Sequence, residues 1–127
     1  MATKIRLGSQ VEVEGFIPHG CKRFFINMGK DSNNKVIHFD VRFDYLADQR
    51  KIVLNSMKDG VRGSEQREGF FPFQEGSDTK VSFTFENDKI IIQLPSGNPL
   101  SFPIRFPITD ITFVSVVELE TKSITLK

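Results

Sequence analysis

Short segments in which apolar and polar residues alternate, separated by turn residues, recur along almost the whole chain. Residues 11–14 are Val-Glu-Val-Glu, and residues 81–85 are Val-Ser-Phe-Thr-Phe. Alternation with a period of two is typical of a strand with one buried face. No stretch of about ten residues carries the apolar 3.6-residue period of an amphipathic helix. The pattern therefore predicts an all-β chain, and turn signals about every 8–12 residues favour a sandwich or a barrel.

Glycine and proline are expected to separate the strands. Gly15 is expected to end the first alternating segment, and a Pro-Ser-Gly-Asn-Pro sequence at 95–99 interrupts a later one. Further extended or apolar segments are 24–28, 35–43, 51–55, 70–73, 90–94, 100–102, 111–119 and 124–126. Because these segments follow one another closely, antiparallel pairing between sequence neighbours is the expected arrangement.

Length, composition and charge limit the class of protein. The 127 residues fit one domain, spanning 1–127, that can bury a core without disulfides or a metal. The chain has 13 Phe and no Trp, which suits sheets packed face to face. Its 17 basic and 16 acidic residues give a net charge of +1, so charge gives no reason to expect nucleic acid or an anionic membrane as a partner.

Cysteine usage and the lack of long apolar runs bear on location. Cys21 is the only cysteine, which excludes an internal disulfide and a cysteine-rich zinc site. We expect it to be a small turn residue, and its free thiol fits a reducing compartment. The first residues show no signal-peptide pattern, and no run approaches the roughly 20 apolar residues of a membrane span. We therefore expect a cytoplasmic protein without membrane insertion, with any secretion following a non-classical route.

A row of polar side chains is predicted on one strand. Residues 38–43 are His-Phe-Asp-Val-Arg-Phe. Because successive side chains of a strand point to opposite faces, His38, Asp40 and Arg42 share one face and the three apolar residues share the other. The apolar face belongs to the core, so the other face carries three hydrogen-bonding groups in a line.

Further polar residues follow in positions that can extend this row. Asn55 ends the segment 51–55, and Glu65 and Arg67 are two residues apart, so they share a face if the chain there is extended. Arginine supplies a fixed fork of donors and carboxylates supply acceptors, a mixture that suits a ligand with several hydroxyl groups. The set predicts multipoint hydrogen bonding to such a ligand.

Other interpretations of the same residues remain open at this point. Many antiparallel sheets carry a solvated polar face with cross-strand ion pairs, and this pattern fits that description too. His38, Asp40 and Glu65 are a weak set of metal ligands, and Asp40 with Glu65 is a weak glycosidase pair. No nucleophile-elbow motif is present, so a serine hydrolase is not indicated.

The same residues resemble the carbohydrate-recognition domain of galectins, specifically the prototype kind with a single domain. The family pattern is His-x-Asn-x-Arg, then Asn, then Trp-x-x-Glu-x-Arg. The corresponding positions here, at the same spacing, are His38, Asp40, Arg42, Asn55, Arg62, Glu65 and Arg67. The flanking segments 29–34, 71–74 and 102–105 are also similar to family members, so the similarity covers almost the whole chain from about Gly8.

The resemblance implies a two-sheet antiparallel β-sandwich of the galectin-like jelly-roll type, with a sugar site that uses no metal or other cofactor. It implies that His38, Arg42 and the residue at position 40 contact the axial 4-hydroxyl of galactose. Asn55 and Glu65 would contact the 6-hydroxyl, and Arg67 would reach the neighbouring sugar. These residues would then form a β-galactoside site.

The sequence departs from the family pattern at two central positions. Arg62 stands where the family has the Trp that lies against the apolar face of galactose, and an arginine offers far less apolar area than an indole. Asp40 stands where the family has Asn, so it keeps an acceptor but loses the amide donor. We hypothesise that Asp40 and Arg62 pair across the site and partly close it.

Two functions follow as expectations. The first is a lectin that binds β-galactoside-containing glycans weakly or with a changed preference, for example for anionic glycans that contact Arg62. The second is a galectin-fold protein that has lost lactose binding and acts as a protein-interaction or structural module. The resemblance also implies a homodimer through the terminal strands, for which the segment 122–126 is suitable.

Overall fold

A computed structural model describes residues 5, 6 and 8–127, and the described residues form β-strands joined by turns and irregular segments. No described helix is long and apolar enough to cross a membrane. The strands are β1 (Ile5–Arg6), β2 (Gln10–Ile17), β3 (Arg23–Asp31), β4 (Asn34–Tyr45), β5 (Asp48–Lys58), β6 (Val61–Arg62), β7 (Gln66–Glu68), β8 (Ser77–Phe85), β9 (Lys89–Gln93), β10 (Leu100–Pro103), β11 (Asp110–Ile111), β12 (Phe113–Val117) and β13 (Glu120–Leu126).

The strands form two large antiparallel sheets packed face to face. One sheet has the order β12-β3-β4-β5-β6, with β7 also pairing with β5, and the other has the order β10-β9-β8-β2-β13. A small sheet pairs β1 with β11. The prediction of an all-β, two-sheet antiparallel sandwich is confirmed. The alternating segments predicted a sandwich or a barrel, and the family resemblance implied the two-sheet sandwich, in which each sheet covers the apolar face of the other.

Phenylalanine dominates the core between the sheets. Phe39 on β4 and Phe83 on β8 are both fully buried, and their rings meet edge to face with centroids 5.5 Å apart. Phe73 lies against Phe24 in the same way, also at 5.5 Å. Edge-to-face contacts let flat rings interlock, which is how a chain without Trp fills this space.

The expectation that Gly15 ends the first strand is wrong. β2 continues through Gly15 to Ile17, and residues 10–17 pair with β8 without interruption. The glycine is needed for a different reason. A Cβ atom there would lie 2.8 Å from the carbonyl oxygen of Glu120 and 2.9 Å from Cγ of Leu119. The position therefore allows close approach of the β12–β13 turn rather than marking a strand end.

Two other segments differ from the sequence pattern. The segment 111–119 is split at Thr112, whose amide donates to Gly29 O and whose hydroxyl donates to Lys30 O, both at 2.9 Å. These bonds transfer the chain from the pairing with β1 to the pairing with β3. The apolar segment 70–73 is not a strand, although Phe71 and Phe73 are buried. The alternation of its side chains therefore reflects packing against the core and not hydrogen bonding to a neighbouring strand.

Candidate functional site

The predicted polar row lies on the face of the six-stranded sheet that points away from the core, here called the polar face. Phe39 and Val41 are fully buried in the core, whereas His38, Asp40 and Arg42 point to the polar face. The prediction from the two-residue period is therefore confirmed for these three positions.

Antiparallel register extends the row across three strands. His38 is the cross-strand partner of Asn27 on β3 and of Asn55 on β5. Partners in register share a face of the sheet, so the three side chains form a line perpendicular to the strands. Sequence reasoning missed Asn27 because the contact depends on register between strands, which the period of a single strand does not encode.

Asp40 is the centre of a charged group at one end of the polar face. It has no exposed surface, and it accepts hydrogen bonds from Arg23 Nε at 3.1 Å and Arg42 Nε at 2.9 Å. Nε2 of His38 lies 3.7 Å away. Burial raises the pKa of Asp40, but contacts with His38 and Arg42 and the charge of Arg23 lower it more, so the pKa lies below its usual value. Asp40 is therefore an ionised, buried carboxylate beneath the polar face.

Asp48 continues this charged group along the turn between β4 and β5. It accepts a hydrogen bond from Nη1 of Arg42 at 2.6 Å and a short one from Nη1 of Arg67. Nη2 of Arg67 donates in turn to Glu65 at 2.8 Å. Burial raises the pKa of Asp48, but the bonds from the two arginines outweigh it and lower the pKa. Positive and negative groups thus alternate from Arg23 to Glu65, and Glu65 and Arg67 are in contact although Glu65 precedes β7.

The arginine at the start of this chain of charges also contacts aromatic rings. The guanidinium carbon of Arg23 lies 4.3 Å from the ring centroid of Phe25 and 4.2 Å from that of Tyr45. Arg42 lies 5.2 Å from the same tyrosine ring. Cation–π contacts of this kind hold a guanidinium in one plane, so they restrict the arginines beside Asp40.

Hydrogen bonds set the orientation of His38. Asn27 donates through Nδ2 to Ser115 Oγ at 3.0 Å, which turns its Oδ1 towards Nδ1 of His38 at 2.5 Å. Because Oδ1 only accepts, Nδ1 carries the proton in this assignment. Nε2, which lies 3.7 Å from Oδ2 of Asp40, is then the ring nitrogen left to contact a ligand hydroxyl.

Asn55 is held from the opposite side by a residue in an irregular segment. Nη1 of Arg105 donates to Asn55 Oδ1 at 3.2 Å and to Ser56 Oγ at 3.1 Å. A Cβ atom at Gly63 would lie 2.7 Å from the same Arg105 nitrogen, so glycine lets the chain pass over it. With Oδ1 occupied, no described residue accepts from Nδ2 of Asn55. Arg105 lies in an irregular segment after β10, where the sequence shows no alternation of apolar and polar residues. Only the similarity of the segment 102–105 to galectins indicated this residue.

A β-bulge brings a further cation to the polar face. Lys35 and His38 are three residues apart, which in a regular strand would place them on opposite faces. Their partners on β5, Met57 and Asn55, are only two residues apart, so β4 contains one extra residue here. Lys35 and His38 therefore line the same cleft. The alternation of the sequence gave no signal for this.

The hypothesis that Asp40 pairs with Arg62 is wrong. Arg62 is the cross-strand partner of Met57, whereas Asp40 is the partner of Val53. Four residues along β5 separate these positions by roughly 13 Å. The carboxylate of Asp40 is held by Arg23 and Arg42 instead, and Arg62 is exposed beside Lys35.

The structure brings most of the predicted site residues to one cleft. Its volume is about 30 Å³, so a ligand larger than a few water molecules would lie along the face rather than inside it. Asp40 lies below the cleft, and Arg67 lies beside it, bound to Asp48 and Glu65. The predicted residues that line the cleft are His38, Arg42, Asn55, Arg62 and Glu65.

The metal interpretation of His38, Asp40 and Glu65 finds no support in the geometry. Within residues 5, 6 and 8–127, no three His, Cys, Asp or Glu side chains are grouped so that they could hold a metal ion. The two carboxylates are instead engaged by arginines.

Comparison with known proteins assigns a family. A family model described as galactoside-binding lectin matches residues 1–125. Galectin-1 of Rhinella arenarum is 46% identical over 121 residues, which cover 95% of this chain and 90% of that protein. Galectin-1 of Mus musculus is 40% identical over 111 residues, which cover 87% and 82%.

Solved structures agree with this assignment. Xenopus laevis galectin-Ib matches with a TM-score of 0.96 at 44% identity, covering 99% of this chain and 96% of that one. A toad ovary galectin in complex with N-acetylgalactose also matches with a TM-score of 0.96, at 45% identity and with 99% and 94% covered. These relatives are lectins rather than enzymes. The chain belongs to the galectin family of galactoside-binding lectins, in the single-domain prototype group of its galectin-1 relatives.

Proposed function

We propose that the chain binds β-galactoside-containing glycans along the polar face, with weakened or altered specificity. The observation that carries the proposal is the cleft itself, which is lined by the hydrogen-bonding side chains of His38, Arg42, Asn55 and Glu65. Family membership and the toad ovary galectin bound to N-acetylgalactose support a galactose-type ligand.

The hydrogen-bond assignments define what each group offers a sugar. Arg42 uses Nε and Nη1 internally, so Nη2 has no partner among the described residues and can donate. Nε2 of His38 can accept, and a hydroxyl that accepts from Arg42 can donate to His38. The resemblance assigns this pair of contacts to the 4-hydroxyl.

A second hydroxyl is proposed to lie between Asn55 and Glu65. Nδ2 of Asn55 can donate, and Oε2 of Glu65 can accept because Arg67 occupies only Oε1. The resemblance assigns this contact to the 6-hydroxyl. Asp40, which is fully buried, is proposed as a positioning residue that orients Arg42, and Arg67 as a contact for the neighbouring sugar.

Arg62 is the reason to propose altered specificity. The family resemblance expects an indole at this position, and an indole buries about 150–250 Å² of mostly apolar surface. At about 25 cal/mol per Å², losing half of that contact weakens binding of a neutral galactoside by roughly 2–3 kcal/mol. An exposed guanidinium in the same place favours an anionic glycan, such as a sulfated or sialylated galactoside.

Calorimetric titration with lactose of the parent and an Arg62→Trp variant tests the proposal. We expect weak or undetectable binding by the parent and binding at least tenfold tighter by the variant. A gain in the variant shows that the other contacts are intact. If neither protein binds lactose or an anionic galactoside, the proposal is wrong, and the alternative of a protein-interaction or structural module takes its place.

Two further parts of the proposal concern assembly and location. β13 is the edge of the five-stranded sheet, and Leu126 on it is 37% exposed. We propose a homodimer through the terminal strands, which light scattering at micromolar concentration tests. For location we propose the cytoplasm, with non-classical secretion giving access to extracellular glycans, and cell fractionation with detection in the medium tests both.

A further inference from the structure

Arg105 connects one sheet of the sandwich to a residue of the cleft on the other sheet. It lies in the irregular segment after β10, a strand of the five-stranded sheet, and it donates to Asn55 and Ser56 on β5. Its guanidinium carbon lies 4.6 Å from the ring centroid of Phe102, which is fully buried. A cation–π contact and two hydrogen bonds restrict the guanidinium to one position. Arg105 is therefore a fixed donor directed at Asn55, although it does not itself line the cleft.

The side-chain oxygen of Asn55 has no remaining capacity to accept a hydrogen bond. Oδ1 accepts from the backbone nitrogen of Ser56 at 2.8 Å and from Nη1 of Arg105 at 3.2 Å. An amide oxygen has two lone pairs, so these two donors fill both. The bond from Ser56 needs only the backbone of β5, whereas the bond from Arg105 depends on the other sheet. Towards a ligand, Asn55 therefore acts only as a donor, through Nδ2.

The backbone of Gly63 lies against the hydrogen bond between Arg105 and Asn55. A Cβ atom at Gly63 would lie 2.7 Å from Nη1 of Arg105 and 3.4 Å from Oδ1 of Asn55, so a glycine is needed for this close approach. Asn55 is only 6% exposed. Because little water reaches this position, the hydrogen bond from Arg105 is stronger than one on the open surface.

The groups on the two sides of the proposed 6-hydroxyl have opposite and fixed roles. In the proposed function, on which this inference rests, this hydroxyl lies between Asn55 and Glu65. A carboxylate only accepts, and an amide whose oxygen is occupied only donates. The ligand group between them must therefore accept from Asn55 and donate to Glu65. A free hydroxyl does both, whereas an ether oxygen only accepts and a hydrogen atom on carbon does neither.

We propose that Arg105 is a positioning residue that makes the site selective for a free 6-hydroxyl. Arg105 does not touch the sugar in this proposal. It occupies Oδ1 of Asn55 and thereby fixes the direction of the hydrogen bond that Asn55 makes with the ligand. Without Arg105, Oδ1 has one free lone pair, so Asn55 presents an acceptor as well as a donor and the selectivity decreases.

Nuclear magnetic resonance titrations with two sugars test the proposal. The sugars are lactose and a lactose in which hydrogen replaces the 6-hydroxyl of galactose, and all proteins carry Arg62→Trp, which is expected to make lactose binding measurable. With Arg105 present, lactose should bind at least about tenfold tighter than the deoxy sugar, because the deoxy sugar leaves a donor and an acceptor without partners. Arg105→Met removes the donor and keeps an apolar stem on Phe102. It should weaken lactose binding about fivefold and deoxy-sugar binding by less than about twofold.

Two further variants control for charge and stacking. The guanidinium carbon of Arg50 lies 4.8 Å from the ring centroid of Phe71, and its Nη2 donates to Phe71 O at 3.3 Å. Arg50→Met therefore removes the same charge and the same kind of stacking without touching Asn55, and it should keep the ratio of the two affinities. Arg105→Lys retains a charged donor and should recover most of that ratio.

A readout without sugar follows the amide itself. Nitrogen relaxation gives the order parameter of the Asn55 side-chain Nδ2 in the ligand-free protein. We expect this order parameter to fall in Arg105→Met and to stay unchanged in Arg50→Met, because only Arg105 bonds to Oδ1. An unchanged order parameter in Arg105→Met overturns the positioning role.

The outcomes of the titrations separate this inference from the proposed function. An unchanged ratio in Arg105→Met, together with intact lactose binding, overturns only the role of Arg105. Equal weakening of both sugars shows that Arg105 supports the fold rather than recognition of the hydroxyl, and it also overturns the proposal. A ratio in Arg105→Lys as low as in Arg105→Met overturns the assignment to a donated hydrogen bond. If no protein binds either sugar, the proposed function fails, and the selectivity for a hydroxyl fails with it.

Discussion

The two ends of the polar face hold their positive charges in opposite ways. At one end, Arg23 and Arg42 share the buried carboxylate of Asp40, so each guanidinium is fixed by an anion of the protein itself. At the other end, Lys35 and Arg62 flank Met57 without a carboxylate partner among the described residues. A paired cation is oriented before a ligand arrives, whereas an unpaired one retains its capacity to bind an anion. We name them the paired end and the unpaired end.

The largest expected effect is on stability at the paired end. Asp40→Ala removes the carboxylate that two arginines share, and Arg42 is left almost buried with fewer partners. Breaking a buried ion pair in this way costs about 3–5 kcal/mol of unfolding free energy. Urea unfolding followed by circular dichroism measures it.

A matched control for Asp40→Ala is available in the exposed pair of Glu86 and Lys89. Glu86→Ala is expected to change the unfolding free energy by less than about 0.5 kcal/mol. Asp40→Asn keeps one acceptor and should fall between the two. Equal losses of unfolding free energy in Asp40→Ala and Glu86→Ala would contradict the view that the buried carboxylate at the paired end stabilises the fold.

Acid is expected to weaken the paired end next. The pKa values of Asp40 and Asp48 are lower in the folded protein than in the unfolded chain, where an aspartate titrates near about 3.9. Their stabilisation is therefore complete above that value and is lost as pH falls through the folded pKa, because the unfolded chain then binds more protons. Urea unfolding between pH 7 and pH 3 should show the decline beginning near pH 4, and the decline should be shallower in Asp40→Asn. A pH-independent midpoint over that range would exclude this linkage.

A smaller effect is expected from the group that orients His38. Asn27→Ala removes the acceptor for the Nδ1 proton, so the ring no longer favours one tautomer. Nitrogen chemical shifts of His38 should move towards those of a tautomer mixture, with exposed His19 as the internal reference. Made in the Arg62→Trp background, which is expected to bind lactose measurably, Asn27→Ala should lower lactose affinity about fivefold, the value of one hydrogen bond. An unchanged tautomer in this variant would mean that Asn27 does not set the proton position.

The smallest expected effect is on stability at the unpaired end. Lys35→Gln removes one of two repelling cations and no ion pair, so the unfolding free energy should rise or fall by less than about 0.5 kcal/mol. The same urea experiment measures it alongside Asp40→Ala. A loss above about 2 kcal/mol would show that Lys35 has a structural partner, and the contrast between the two ends would then disappear.

Sequence reasoning predicted the features that depend on local period. His38, Asp40 and Arg42 fall on one face because a strand alternates, and this holds whatever the neighbouring strands do. Features that depend on register were missed or wrong. Asn27 joins the site through pairing of β3 with β4, and the pairing of Arg62 with Met57 places it four residues along β5 from Val53, the partner of Asp40.

Departures from regular strand geometry also could not be predicted from the alternation of apolar and polar residues. The bulge in β4 turns Lys35 to the polar face although the alternation assigns it to the other face. Gly15 was expected to end a strand because glycine usually weakens one, but here it permits contact with Leu119 and Glu120. Both cases depend on atoms that are distant in sequence.

The position of Tyr45 has a consequence for observing the protein. It is the only tyrosine in a chain without tryptophan, and its ring lies against Arg23 and Arg42 at the paired end. The absorption at wavelengths longer than those of phenylalanine, and most of the intrinsic emission, therefore come from one ring beside the candidate sugar site. A ligand that shifts either arginine therefore changes the absorption or emission of Tyr45, and binding can be followed without an added label.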